Sequence, residues 1–93
     1  MRVDFTKEFF NLLSEQVSYI AKDKPQASRK FKNSLLKSLK KDLQFPFNYK
    51  KSIYFNNISI RDYVFKGYTI VYFINEPKDT VEVFEFIKYM ESL

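Results

Sequence analysis

Residues 58–74, ISIRDYVFKGYTIVYFI, decide how this chain folds. Ile58 to Phe65 is rich in β-branched and aromatic residues, and Tyr68 to Ile74 is richer still, the composition of two strands. Lys66-Gly67 lies between them. Gly67 is the only glycine in the chain, so the residue most at ease with positive φ stands where a tight hairpin needs it. Alternation puts Tyr68, Ile70, Tyr72 and Ile74 on one face of the second strand, and Thr69, Val71 and Phe73 on the other. Both faces are largely apolar, as in a strand covered from two sides.

Upstream of the hairpin the period changes from two to 3.6. Arg2 to Phe5 predicts a short first strand. Thr6 predicts a helix N-cap, with Glu8 near the positive end of the helix dipole. Phe9, Leu12, Leu13, Val17, Ile20 and Ala21 then recur at helical spacing, so Lys7 to Lys22 is read as an amphipathic helix. Asp23-Lys24-Pro25 breaks it and opens a second helix over Gln26 to Leu43, since proline suits a first helical turn. Phe31, Leu35, Leu36, Leu39 and Leu43 form its buried stripe. Ala27 and Ser28 are small and predict close approach of two antiparallel helices. Lys30, Lys37 and Lys41 align on the outer side, at 100° per residue, where a solvated face competes with a binding stripe.

Phe45-Pro46-Phe47 ends the second helix, and Asn48-Tyr49-Lys50-Lys51 is a basic loop. Ser52 to Phe55 is read as a strand, with Asn56-Asn57 as a turn before the hairpin. Pro77 sits in a second turn, Asn75 to Asp79. Thr80 to Ile87 is the last strand, with Val81 and Val83 on one face and Phe84 and Phe86 on the other. The expected architecture is α+β, ordered β-α-α-β-β-β-β, with an N-terminal helix hairpin on one face of an antiparallel sheet. Nothing remains to cover the opposite face except a short tail. A contiguous exposed apolar face marks an interaction surface, for a protein partner or a second copy of the chain.

Composition narrows the chemistry. Ninety-three residues, 45% hydrophobic and 19% aromatic, make one domain with a core. There is no cysteine and no histidine, which removes disulfides, thiolate metal sites, the usual general base and the commonest zinc ligand. No motif predicts a metal or an organic cofactor. A net charge of +5 admits a nucleic acid or an acidic protein as partner. No apolar run approaches a membrane span, and the N-terminus lacks a signal-peptide core, so a cytoplasmic location is expected. RNA cleavage would need a base, a cation at the phosphate and an acid for the leaving oxygen. Lys50, Lys51, Arg61, Lys66 and Lys88 supply cations, and Tyr68 or Tyr89 an acid. The competing readings are strand-pair or core tyrosines, and an Arg61 paired with Asp62, Glu82 or Glu85 or with a helix end.

Several stretches together resemble the RelE/ParE superfamily of toxins from type II toxin–antitoxin systems. They are the helix pair KEFFNLLSEQVSYIAKDKPQASRKFKNSLLKSLKKDL with its Asp-x-Pro-x-Ala break, FPF and the basic loop, the Ile60-Arg61 pair, and Gly67-Tyr68 with Val71-Tyr72. The resemblance spans nearly the whole chain. It implies a small bacterial toxin, neutralised by an antitoxin whose C-terminal segment wraps it. RelE-like members cleave mRNA on the ribosome, whereas ParE-like members poison DNA gyrase. The RelE pattern has an arginine directly after the Gly-Tyr, where this chain has Thr69. It also carries an arginine and a catalytic tyrosine in a C-terminal extension, where this chain offers only Lys88 and Tyr89. Ile60-Arg61 and the Asp-x-Pro break match ParE-like chains. The resemblance therefore implies a gyrase inhibitor that contacts its target through Arg61, Lys50, Lys51, Lys66 and Tyr68. Tyr72, Phe73, Phe84, Phe86 and Tyr89 are assigned to the antitoxin. A ribosome-dependent mRNA interferase is the first alternative, and a degenerate binding module without toxicity the second.

Overall fold

The computed structural model describes residues 1–88. Strand β1 (Arg2–Phe5) leads into helix α1 (Lys7–Ala21). The Thr6 hydroxyl accepts a hydrogen bond from the Phe9 N–H at 3.1 Å, satisfying one of the N-terminal donors that a helix leaves free. At the other end the N–H groups of Asp23 and Lys24 both donate to the Ile20 carbonyl. Pro25, which has no N–H to leave unpaired, then starts helix α2 (Pro25–Asp42). The link is short, so the two helices pack side by side. Ser28 is the small residue buried there, its hydroxyl donating to the Pro25 carbonyl at 2.6 Å. Ala27, expected beside it, faces outward.

Three more strands follow: β2 (Ile60–Phe65), β3 (Tyr68–Asn75) and β4 (Thr80–Lys88). They form the expected antiparallel meander, but the four-stranded sheet is mixed, in order β1-β4-β3-β2. β1 runs parallel to β4, Val3 opposite Val81 and Phe5 opposite Val83. A parallel pair needs a crossover connection, and the helix hairpin is the first part of it. Phe9, Leu13, Phe31, Leu35, Leu39 and Leu43 from the helices meet Tyr63, Ile70, Tyr72, Ile74, Val81, Val83 and Phe86 from the sheet. Each fully buried aliphatic or aromatic side chain contributes about 1.5–3 kcal/mol, so this layer holds the fold together. The helix hairpin lies on one face of the sheet, as the sequence predicts.

The β2–β3 turn has positive φ at both central residues, Lys66 at 48° and Gly67 at 83°. That is the primed turn whose twist suits a hairpin.

Three local expectations are corrected. Ser52 to Phe55 is no strand. Lys51 makes a single bridge to Arg61, with Asp62 N–H donating to the Lys50 carbonyl and Ser52 N–H to the Ile60 carbonyl. Then the Asp62 carboxylate takes the Ile53 N–H and the Ser52 hydroxyl takes the Tyr54 N–H. Side chains thus capture the donors that a continuing ladder would use. Asn56-Asn57 makes no tight hairpin. The Asn57 side chain and carbonyl instead accept from Ser59 and Ile60, an Asx-type turn that delays β2 to Ile60. Finally, the β3–β4 register shifts between Val71 and Tyr72, which pair with Glu85 and Val83 and leave Phe84 between them. A bulge of this kind inserts one residue and flips the faces beyond it. Phe86 therefore joins Val81 and Val83 under the helices, while Phe84 stays on the far face.

The far face is also not bare. The connection between Tyr49 and Ser59 folds across it, and Phe55 reaches Phe84 with ring centroids 5.4 Å apart. Val71, on that face, is fully buried.

Candidate functional site

Arg61 ties this connection down. Its Nε donates to the Ile58 carbonyl at 2.8 Å, and one terminal nitrogen donates to the carbonyls of Tyr49 at 2.7 Å and Phe47 at 3.5 Å. The guanidinium also lies over the Phe47 ring, 5.6 Å from its centroid. A planar fork can serve carbonyls on both ends of a loop at once, which an ammonium on a single point cannot. Arg61 therefore binds backbone rather than Asp62, Glu82 or Glu85. It closes the 47–58 segment into one unit.

On the far face this unit borders a recess of ≈ 550 Å³ lined by Asn48, Tyr49, Lys50, Lys51, Ile53, Asp62, Val64 and Thr69. Lys50 and Lys51 are exposed at its rim. Val64 and Thr69 face each other across β2 and β3 in its floor. Asp62 directs one carboxylate oxygen to Ile53, and its other oxygen is buried without a protein donor.

Lys66, Tyr68 and Lys88 gather elsewhere, at the far end of the hairpin. Lys88 pairs with Tyr68 across β3 and β4. At 3.3–3.4 Å per residue, the four residues from Asp62 to Lys66 separate the two basic groups by about 13 Å along β2. Lys66 extends over Phe65 and Lys88 over Tyr19. Tyr68 is wedged between Phe31 and Phe86, and its hydroxyl accepts from Gln16 at 2.9 Å. Thus Arg61, Lys50 and Lys51 come together, and Lys66, Tyr68 and Lys88 form a second group.

Two tyrosines behind the recess, Tyr72 and Tyr63, are structural. Tyr72 is fully buried and donates to the Pro46 carbonyl at 2.6 Å. Tyr63 donates to the Asp42 carboxylate, fastening the end of α2 to β2. Burial raises the pKa of both phenols above the ordinary tyrosine value, and for Tyr63 the hydrogen-bonded Asp42 adds to the rise. Tyr49, packed edge-on against both rings, is raised for the same reasons, burial first and the Asp42 charge second.

Of the residues assigned to a protein partner, Tyr72 and Phe86 are corrected, because both lie in the core and leave almost no surface. Phe73 and Phe84 are half-buried on the far face. Tyr89 lies outside the described residues. The apolar surface that is presented was not singled out in the sequence: Phe47, Ile53, Tyr54 and Ile58 on the connection, and Val64 on β2, exposed by 54, 84, 49, 66 and 70%. Its signal is a run of large apolar residues from 45 to 58 without strand alternation or helical period.

With this geometry in view, comparison with known families is decisive. The family model for the ParE toxin of type II toxin–antitoxin systems, parDE, matches residues 3–91. The chain belongs to the ParE toxin family. It is thereby a toxin of a type II toxin–antitoxin system, and membership implies an antitoxin partner. No curated protein matches this ParE-family chain. Among its described residues, no helix is long and apolar enough to cross a membrane.

Proposed function

We propose that this toxin inhibits DNA gyrase and is held inactive by a cognate antitoxin that covers the far face of its sheet. A gyrase target implies action in the cytoplasm. The observation that carries the target reading is the recess beside the basic loop. Val64 and Thr69 in its lining bring no charge to a scissile phosphate, and the charged lining residues are Lys50, Lys51 and Asp62. Of the phenols near it, those of Tyr72 and Tyr63 are committed to Pro46 and Asp42, and that of Tyr49, in the lining, is raised in pKa by burial and by the Asp42 charge. Lys66 and Lys88 stand at the other end of the hairpin. A ribonuclease needs base, cation and acid around one phosphate; with the Asp62 carboxylate engaged by the Ile53 N–H and Lys66 and Lys88 placed elsewhere, the recess favours a toxin that works by binding. Arg61 takes part by fixing the loop that displays Lys50 and Lys51.

The apolar residues Ile53, Ile58 and Val64 on the connection and β2 support the antitoxin reading, since apolar residues surrounded by polar ones suit a protein interface. Tyr54→Lys combined with Ile58→Lys, both outside the recess, should weaken neutralisation by at least tenfold, or roughly 1.4 kcal/mol, with toxicity retained. Titrating growth arrest against antitoxin expression measures this. Full neutralisation of the double variant would move the antitoxin to another surface.

A further inference from the structure

We infer that the outer face of α2 is a duplex DNA-binding surface that holds the sugar–phosphate backbone without reading sequence. The charge of the chain is partitioned. Sixteen Lys+Arg against eleven Asp+Glu give +5 overall. Residues 22–42, α2 and its lead-in, hold eight of those cations (Lys22, Lys24, Arg29, Lys30, Lys32, Lys37, Lys40 and Lys41) against Asp23 and Asp42, a net +6. The remaining 72 residues carry eight cations and nine acids, a net −1. The basic character of this protein is therefore a property of one helix and its lead-in.

The helix presents these charges together. At 100° per residue, Arg29, Lys30, Lys37, Lys40 and Lys41 fall within an arc of about 120°, opposite the buried stripe of Phe31, Leu35 and Leu39. All five are exposed. Among the described residues, the one ion pair joins Arg2 to Asp4, on β1, so no acid neutralises the arc. A helix face that serves only solubility gains from alternating signs, and like charges three or four residues apart cost a few tenths of a kcal/mol. Here Arg29–Lys32, Lys37–Lys40 and Lys37–Lys41 are all like-charge neighbours, with no Asp or Glu between Lys24 and Lys41.

The chemistry of the face selects its partner. No large apolar side chain is exposed on α2 itself; those that are exposed lie on α1, on residues 45–58 that follow α2, and on β2. A protein interface wants aromatic or aliphatic anchors and is depleted in lysine. Stable anchoring on an anionic membrane takes an apolar face or a lipid chain besides a basic patch. Single-stranded nucleic acid would need rings for its bases to stack on. A face of cations alone suits regularly spaced phosphates, and duplex DNA offers one charge per about 1.7 Å of axis. Arg29 to Lys41 spans about 18 Å of helix, so about five cations meet the backbone in one contact. This contact is read from α2 alone and stands whether or not gyrase is the target.

Fluorescence anisotropy of the full-length chain with a 20-bp DNA of arbitrary sequence tests it. Five phosphate contacts predict a log–log salt slope of about −4.5, hence a fall of about 500-fold in affinity between 50 and 200 mM salt. Lys37→Gln with Lys41→Gln should lessen the slope by about 1.8, whereas Lys7→Gln with Lys78→Gln, equal in lost charge, should leave it unchanged. Circular dichroism of each double variant checks that the fold is intact. Equal loss in the two double variants would reduce the effect to net charge and overturn the proposal. So would tighter binding to the 20-nucleotide single strand, or binding to poly-glutamate but not to DNA.

Discussion

Arg61 shows how one side chain can build a site through its contacts with backbone. Its fork of donors meets three carbonyls from both ends of the connection, and hydrogen bonds from a charged group contribute about 1.5–3 kcal/mol each when sequestered, less when half-exposed as here. Arg61→Ala should lower stability by about 1–3 kcal/mol and abolish toxicity. Arg61→Lys should restore little of either, since one ammonium cannot reach all three carbonyls. Urea melts beside growth assays separate the roles: an unchanged midpoint with lost toxicity would make Arg61 a direct target contact. The tyrosines predict a pH dependence. With folded-state pKa values of Tyr63 and Tyr72 raised, the unfolded chain loses protons first as pH climbs. Stability is therefore full below about pH 10 and falls as pH rises beyond it. Tyr63→Phe and Tyr72→Phe should each flatten the alkaline limb of stability measured by urea titration. A limb as steep as that of the parent protein would mean these phenols ionise freely in the fold.

At the scale of elements, what was legible had a local signature. Thr6, Pro25, the two apolar stripes and Gly67 each enforce their structure through near neighbours, and both helices and the hairpin lie where they predict. Gly67 has open space where a side chain would begin, so its requirement is conformational alone. Gly67→Val should cost about 1–2 kcal/mol through strain at positive φ, and Gly67→Asn less, because asparagine tolerates that region. Equal urea midpoints for the two variants would contradict the turn assignment. What was not legible depended on partners distant in sequence. Residues 52–55 have strand composition, but Asp62 takes the Ile53 N–H, and nothing local announces that. The bulge at Phe84 has no glycine to mark it, yet it moves Phe86 from one face to the other. The parallel seating of β1 on β4 likewise follows from the return path of the helix hairpin, not from any residue in β1.

The whole molecule has three surfaces of different character. The helices bury one face of the sheet. The connection crosses the other and presents Ile53, Ile58 and Val64 beside Lys50 and Lys51. The back of α2 carries the positive charge. The candidate site was half legible in sequence: the basic loop and Arg61 were singled out, but the apolar residues of the connection were read as a strand. Tyr72 and Phe86 were offered to a partner because alternation alone cannot tell which face the helices cover.

This ParE-family toxin is proposed to disable gyrase by binding, without cutting RNA. Purified gyrase acting on relaxed plasmid in the presence of the toxin tests it most directly, with primer extension on a translated message run on the same preparation. The expected result is loss of supercoiling with accumulation of linear, gyrase-linked plasmid, and an uncut message. Intact supercoiling together with cleavage of the message in the ribosomal A site would contradict it.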